Sequence, residues 1–232
     1  MNRNAMNWTV IVSSRNAALR MNTGRWITDC FGGAASPMFI EGAESIFAAY
    51  NKGIELSSGS RYVCFAHEDI DVISLNVEAM ETMLDNPETG FVGAAGARRL
   101  PENACWWDHG NAPAELLLSG VAGHQKREQR GIARWRNIYG PFGPVEVLDG
   151  VILFCRRSLL DELRWDESSF GGWDFYDISI TWEASRRGFI NRTFDGIEFY
   201  HWGLGELRSG WEENRRRFLE WKRLRERLPV PG

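Results

Sequence analysis

The sequence predicts an α/β fold with a mostly parallel central sheet flanked by helices. Short β-branched runs alternate with stretches of helical periodicity along the chain, the pattern of strands joined by crossover helices. Of 232 residues, 44% are hydrophobic and 25% charged, a globular mix that excludes disordered, collagen-like and coiled-coil chains. No segment approaches the ~18 consecutive apolar residues of a membrane span.

Residues 8–13 (Trp-Thr-Val-Ile-Val-Ser) form a β-branched run that ends in small polar residues, a buried first strand opening into a loop at Ser13, Ser14 and Arg15. Residues 15–31 have weak helical character, the Gly-rich stretch 32–37 breaks them, and residues 38–41 make a second strand ending at Glu41. A helix follows over 45–56, with Ile46, Ala49 and Tyr50 on one face, and a central strand over 61–66. At its end the polarity switches abruptly to His67-Glu68-Asp69-Ile70-Asp71. Residues 77–85 are helical and 91–95 a short strand. Residues 98–144 read as a long, irregular, mobile surface segment carrying Trp106, Trp107, His124 and a basic patch from Lys126 to Arg136. A strand over 145–154 is interrupted at Asp149-Gly150, and a short helix covers 157–163. The turn 171–177 leads into a helix at 178–187, closed by Gly188, and 197–200 is the last strand, delivering His201. Residues 211–228 form a basic amphipathic helix with Phe218, Trp221, Leu224 and Leu228 along one side. The expected division is therefore a domain over 1–210 and a C-terminal helix and tail over 211–232.

Twenty-seven basic residues against 31 acidic ones give a net charge of −4, which supplies no field for a polyanion, so no nucleic-acid partner is expected. Cys30, Cys64, Cys105 and Cys155 are scattered with no C-x-x-C pair, as free thiols of a reducing compartment would be. No N-terminal run is long enough for a signal peptide, so the expected location is cytoplasmic. The C-terminal helix could lie on an anionic membrane, although packing on the domain or on a second subunit of a homo-oligomer explains the same apolar line.

In open parallel sheets, ligands collect beyond the carboxyl ends of the strands, where loops and helix N-termini converge. The acidic cluster after residue 66 and His201 both fall at such ends. Three carboxylates beside an imidazole repel one another unless a cation or water compensates, and a divalent metal would do so: Mg²⁺ suits oxygen ligands, while an imidazole tilts the choice toward Mn²⁺. A solvated acidic turn accounts for the same residues. Asp174 and Asp177 stand at the start of a helix, where carboxylates serve as caps. Gly171-Gly172 and the aromatic residues Trp173, Phe175 and Tyr176 exceed what a cap needs and could wall a sugar-sized pocket.

Five segments occur together in a telling order: Tyr50-Asn51-Lys52-Gly53, Phe65-Ala66-His67-Glu68-Asp69, Val147-Leu148-Asp149-Gly150, Gly172 through Ile180, and His201-Trp202-Gly203-Leu204-Gly205. This pattern resembles family-2-like glycosyltransferases with the GT-A fold, closest to their StrF-type branch, from about Val10 to Gly205. The resemblance implies a GT-A-like, Rossmann-related sheet and a nucleotide-sugar-dependent enzyme. Asp69 matches the last acid of the D-x-D metal motif, His67 replaces the first, and His201 matches the histidine that completes the metal site. Asp177 matches the acid that serves as general base, with Tyr176 in place of the usual Glu and Asp174 as the alternative base. Ser13, Ser14, Arg15, Glu41, Asn51, His67, Glu68, Asp149, Gly150 and Trp173 fall on the implied nucleotide-sugar-binding surface.

The implied reaction moves a sugar from a UDP- or GDP-sugar to a hydroxyl of a saccharide or lipid-linked acceptor, with inversion and with Mn²⁺ or Mg²⁺. Trp106, Trp107 and Trp173 could stack on sugar faces. An inactive sugar-nucleotide-binding module is the alternative suggested by His67 and Tyr176, and a nucleotidyltransferase would need glycines that Val12-Ser13-Ser14-Arg15 lacks.

Overall fold

Strand β1 (Trp8–Ser14) alternates its side chains between two separate hydrophobic clusters: Trp8, Val10 and Val12 enter one, Ile11 the other. The sheet is thus covered on both faces here, which is why β1 is buried along nearly its whole length. The computed structural model describes residues 6–123, 127–128, 131–132, 136–203 and 210–229.

Helix α1 (Ala17–Phe31) is capped by the Asn16 side chain, which accepts from the Ala18 N–H at 2.9 Å, and it leads to β2 (Ala35–Glu41). The second strand is longer than expected because it runs through Pro37, and the sheet tolerates this because β2 is an edge strand. After α2 (Ile46–Leu56) and β3 (Tyr62–Ala66) comes a strand not expected from the sequence, β4 (Ile70–Leu75), followed by α3 (Val77–Leu84) and β5 (Thr89–Gly93).

The described residues of 98–144 hold more regular secondary structure than expected. Strands β6 (Ala95–Ala97) and β7 (Leu118–Gly123), the latter entered through the short helix α4 (Ala114–Leu117), precede a two-stranded ribbon, β8 (Arg127–Glu128) with β9 (Gly131–Ile132). Then come β10 (Arg136–Gly140), β11 (Pro144–Val145) and β12 (Val147–Leu148). A four-stranded antiparallel sheet of order β10-β7-β6-β12 results. Leu118 and Trp106 are buried in the core, so only Trp107, 41% exposed, keeps the surface position expected of the tryptophan pair. His124 and Lys126 lie outside the described residues.

The strand expected over 145–154 is in fact β11, β12 and, beyond the Asp149-Gly150 turn, β13 (Ile152–Arg156). Helices α5 (Leu159–Glu162) and α6 (Tyr176–Arg186), strands β14 (Ile190–Thr193) and β15 (Ile197–His201), and helix α7 (Trp211–Arg225) complete the chain. The central sheet has the order β11-β14-β5-β13-β3-β1-β2. It is mainly parallel, with β13 antiparallel to both neighbours and the edge strand β11 antiparallel to β14. Strand β14 is hard to see in the sequence because buried Asn191 looks polar; its amide donates to the carbonyls of Glu146 and Thr181 and accepts from the Phe91 N–H.

The expected boundary at residue 210 is spanned by packed side chains. Phe218 and Trp221 of α7 are buried against Phe170, Phe175 and Trp182, and the Trp221 indole N–H donates to Asp166 at 2.9 Å. Of the apolar line expected over 211–228 only Leu224 (52%) and Leu228 (59%) are exposed, so Phe218 and Trp221 pack on the domain, the alternative to a membrane contact. Among the described residues no helix is long and apolar enough to cross a bilayer.

Candidate functional site

Strand β13 is the reason the site assembles. Because it runs antiparallel to β3, its amino end lies at the carboxyl end of β3, with Ile152 opposite Ala66, and the His67 N–H donates to the Val151 carbonyl at 3.1 Å. The Asp149-Gly150 turn therefore sits beside the acidic cluster that follows β3. A second ribbon closes the other side: β15 pairs with β4 in a sheet of their own, His201 opposite Ile70, and the Trp202 N–H donates to the Asp69 carbonyl at 2.9 Å. The last strand was expected within the central sheet. Its pairing with β4 carries His201 to Asp69 across more than 130 positions of sequence.

Asp69 Oδ1 lies 3.5 Å from His201 Nε2 and 3.6 Å from His67 Nδ1. Among the described residues these three form the cluster able to hold a metal ion, with one ligand atom from each within 4.8 Å of the others. Burial alone would raise the Asp69 carboxyl, but the hydrogen bond from His201 and the two neighbouring imidazoles outweigh it and hold the acid below its ordinary range. The donor set suits a divalent transition ion: two imidazoles and one carboxylate on half-buried walls. Gly203 keeps this space open, since a Cβ there would lie 2.7 Å from His201 Nε2 and 3.1 Å from Asp69 Oδ2.

The resemblance places His67 on the nucleotide-sugar side, whereas here it faces Asp69. The sequence carries a signal for this in the D-x-D-like spacing of His67 and Asp69, whose side chains meet across the turn at residues 68–69.

On the opposite wall, Asp177 lies in the first turn of α6. Its Oδ2 accepts from the Gly150 N–H and its Oδ1 from the Ile178 N–H, both at 2.8 Å. Those donors favour the carboxylate, yet burial first and the nearby Asp149 second prevail and push the group up to about 7. Phe175, just before the helix, holds a left-handed φ of 65°. For a residue with a side chain that conformation costs roughly 1–2 kcal/mol. It is offset by packing: the ring stacks on Phe218 at 5.4 Å and lies 5.5 Å from Trp211. Helix α7 thus fixes the turn that aims Asp177.

Gly150 joins the two walls. Its N–H holds Asp177, and its carbonyl accepts from the Tyr176 hydroxyl at 2.9 Å, which lies 2.6 Å from His67 Nε2. A Cβ at position 150 would overlap the Tyr176 hydroxyl and lie 2.6 Å from the Asp177 Cβ.

The remaining sequence-derived residues divide. Arg15 places its guanidinium 4.2 Å from the Trp173 ring centroid, which brings the loop after β1 against the 171–177 turn. Ser13 is half-buried, and the buried Ser14 hydroxyl has no hydrogen-bond partner among the described residues. Glu41 ends the strand beside Ser14 and is ion-paired with Arg20. Asp149 Oδ1 accepts from the Val151 N–H at 3.0 Å.

Glu68 and Asn51 have structural work instead. Glu68 Oε2 accepts from the N–H groups of Arg15 (2.9 Å) and Asn16 (3.1 Å), a carboxylate seated at the start of α1. Asn51 donates to the Trp165 carbonyl (2.8 Å) and to Glu167 (2.5 Å) and accepts from the Trp165 N–H (3.1 Å), so its amide is committed to fixing residues 165–167. Asp174 points toward the start of α7, where its Oδ2 would lie 3.9 Å from a Cβ on Gly210. The sequence offers Tyr176 only as an aromatic wall and as the replacement for a Glu, and Gly203 only as part of a motif; the structure adds the contact of Tyr176 with His67 and the closeness of Gly203 to His201 and Asp69. Gly205 lies outside the described residues.

The chain is similar to known proteins in sequence and in fold. Residues 30–220 match the model of a glycosyltransferase-like family. The chain is 21% identical over 192 residues to the streptomycin biosynthesis protein StrF of Streptomyces griseus; the match covers 81% of this chain and 64% of that protein. The chain thus spans less than two thirds of that relative's length. Among solved structures it is similar to GalNAc-T7 with UDP, GalNAc and Mn²⁺ (TM-score 0.59, 12% identity, covering all of this chain and 47% of that one). It is also similar to A197 from STIV (TM-score 0.53, 10% identity, covering 85% and 86%).

Proposed function

For a chain that belongs to the glycosyltransferase-like family and carries the GT-A fold, we propose transfer of a sugar from a nucleotide-sugar donor to an acceptor hydroxyl, with inversion at the anomeric carbon. The observation that carries this reading is the opposite shift of two aspartates on the two sides of the Gly150 turn: Asp69 held below its usual range between two imidazoles, Asp177 raised to about 7. Groups driven apart in this way take different roles.

Asp177 is the general base. Each of its oxygens accepts one backbone N–H and keeps a lone pair for the acceptor proton, and a carboxyl near 7 is half ionised where it must work. The acceptor oxygen forms its bond to the anomeric carbon as the bond from that carbon to the diphosphate breaks. The acceptor proton passes to Asp177, and the nucleoside diphosphate leaves with the electron pair. Asp69, His201 and His67 would hold the divalent metal, Mn²⁺ before Mg²⁺ on the strength of the imidazoles, which when bound supplies a Lewis acid beside the leaving diphosphate. Ser13, Ser14, Arg15, Glu41, Asp149 and Trp173 line the donor side. The donor is of the UDP- or GDP-sugar class and the acceptor a saccharide or lipid-linked saccharide.

The test is turnover of a panel of nucleotide sugars with and without Mn²⁺, following nucleoside diphosphate release. Asp177→Asn is expected to lower kcat by about 10²- to 10⁴-fold while donor binding, read by thermal shift, persists. Wild-type turnover in that variant removes Asp177 from the mechanism. Donor binding without turnover in the wild type favours a binding module, a reading motivated by His67 and Tyr176 standing where the resemblance places acids.

A further inference from the structure

Tyr176 is a buried phenol whose ring packs edge-on against Phe47 and Tyr50, and its hydroxyl reaches two partners: Gly150 O at 2.9 Å and His67 Nε2 at 2.6 Å. A phenol has one proton to donate, and a carbonyl oxygen can only accept. Both contacts are hydrogen bonds only if the phenol donates to Gly150 and His67 donates from Nε2. The neutral His67 ring then carries its proton on Nε2 and its lone pair on Nδ1, the nitrogen 3.6 Å from Asp69 Oδ1.

We propose that Tyr176 is a positioning residue: its hydroxyl, anchored on the Gly150 carbonyl, fixes His67 in the tautomer whose Nδ1 lone pair faces Asp69. Partners of this kind orient a metal-ligating imidazole and set which nitrogen ligates. The arrangement also ties the two walls together, because Gly150 uses its N–H on Asp177 and its carbonyl on the residue just before it. What the lone pair serves rests on the metal reading above. The tautomer does not.

Two measurements test this. Nitrogen NMR of the imidazole rings in the metal-free wild-type chain, at a pH where histidine is neutral, is expected to show His67 protonated at Nε2, with the signal assigned by its loss in His67→Gln. In Tyr176→Phe, which keeps the ring and removes the hydroxyl, that signal should shift toward a mixture of tautomers, and the Kd for Mn²⁺ measured by calorimetry should rise about 10- to 100-fold. His67 protonated at Nδ1 in the wild type, or Mn²⁺ binding in Tyr176→Phe as tight as in the wild type, overturns the proposal. A wild type that binds no Mn²⁺ ends the metal reading instead and leaves the tautomer to be decided by the spectrum. Should Tyr176→Phe fail to fold, the wild-type spectrum alone decides between the two tautomers.

Discussion

The wall carrying Asp69 and the wall carrying Asp177 begin with the same side chain, both half-buried at the carboxyl edge of one sheet. At Asp69 the neighbours are His67 and His201, and the acid stays ionised against the pull of burial. At Asp177 the neighbours are two backbone N–H groups and another carboxylate, and burial prevails. Neighbours and depth together set the two acids apart, Asp177 being the more deeply enclosed of the two. The folded state favours the neutral form of Asp177, so its contribution to stability is full below pH ~4 and is lost as the pH rises through about 7. A group that costs stability when charged, set beside a cluster able to hold a metal ion, is what a base kept for function looks like.

The most severe way to break the comparison is to empty the Asp69 wall. His201→Ala and Asp69→Asn each remove one of three ligand atoms, and Mn²⁺ affinity is expected to fall by more than about 100-fold, the upper end for losing a mere supporting partner. Calorimetry reads the loss directly. Asp177→Asn, on the other wall, should leave Mn²⁺ affinity within a few-fold of wild type. Equal losses on both walls would mean that the site has no such division of labour.

Much of this division was legible in the sequence. The polarity switch after Ala66 located one wall, and the Gly-led turn before the helix at 178 located the other, because charged residues at the end of an apolar strand and a strained entry to a helix each leave a local trace. The pairing that joins Asp69 to His201 was not legible. Strand β4 begins inside the acidic cluster, and its alternation of Ile70, Asp71 and Val72 is too short to stand out. Nor did sequence reveal that Asn51 and Glu68 are committed to Trp165, Glu167, Arg15 and Asn16, since an amide or carboxylate holding backbone looks the same in sequence as one holding a ligand. Residues 98–144 read as irregular because β7 is rich in Gly and Ala, as is β6 just before the segment. Such strands pack closely without the β-branched signature.

A milder break strikes the joint between the walls. Gly150→Ala puts a methyl group where the Tyr176 hydroxyl and the Asp177 Cβ now lie, so both hydrogen bonds of that turn must lengthen. Overpacking of this kind costs typically about 1–3 kcal/mol. The expected result is a lower Tm together with losses in both kcat and Mn²⁺ affinity. A variant that loses kcat alone would show that the walls are independent, with Tyr176 able to hold His67 without Gly150.

The finest test separates the two causes that raise Asp177. Asp149→Asn removes the neighbouring charge but keeps an oxygen to accept from the Val151 N–H, so the turn should survive. In the wild type, kcat is expected to climb with pH and level off above a midpoint near 7, because the base acts only when deprotonated. With the charge at 149 gone, burial remains and one repulsion is lost, so the midpoint should fall by on the order of one pH unit or less. The rate at mildly acid pH should therefore rise while the plateau changes little. Reading kcat rather than kcat/KM keeps any contact of Asp149 with the donor from confusing the result. An unchanged midpoint would assign the whole shift to burial, and the contrast with Asp69 would then lie in depth and the imidazoles alone.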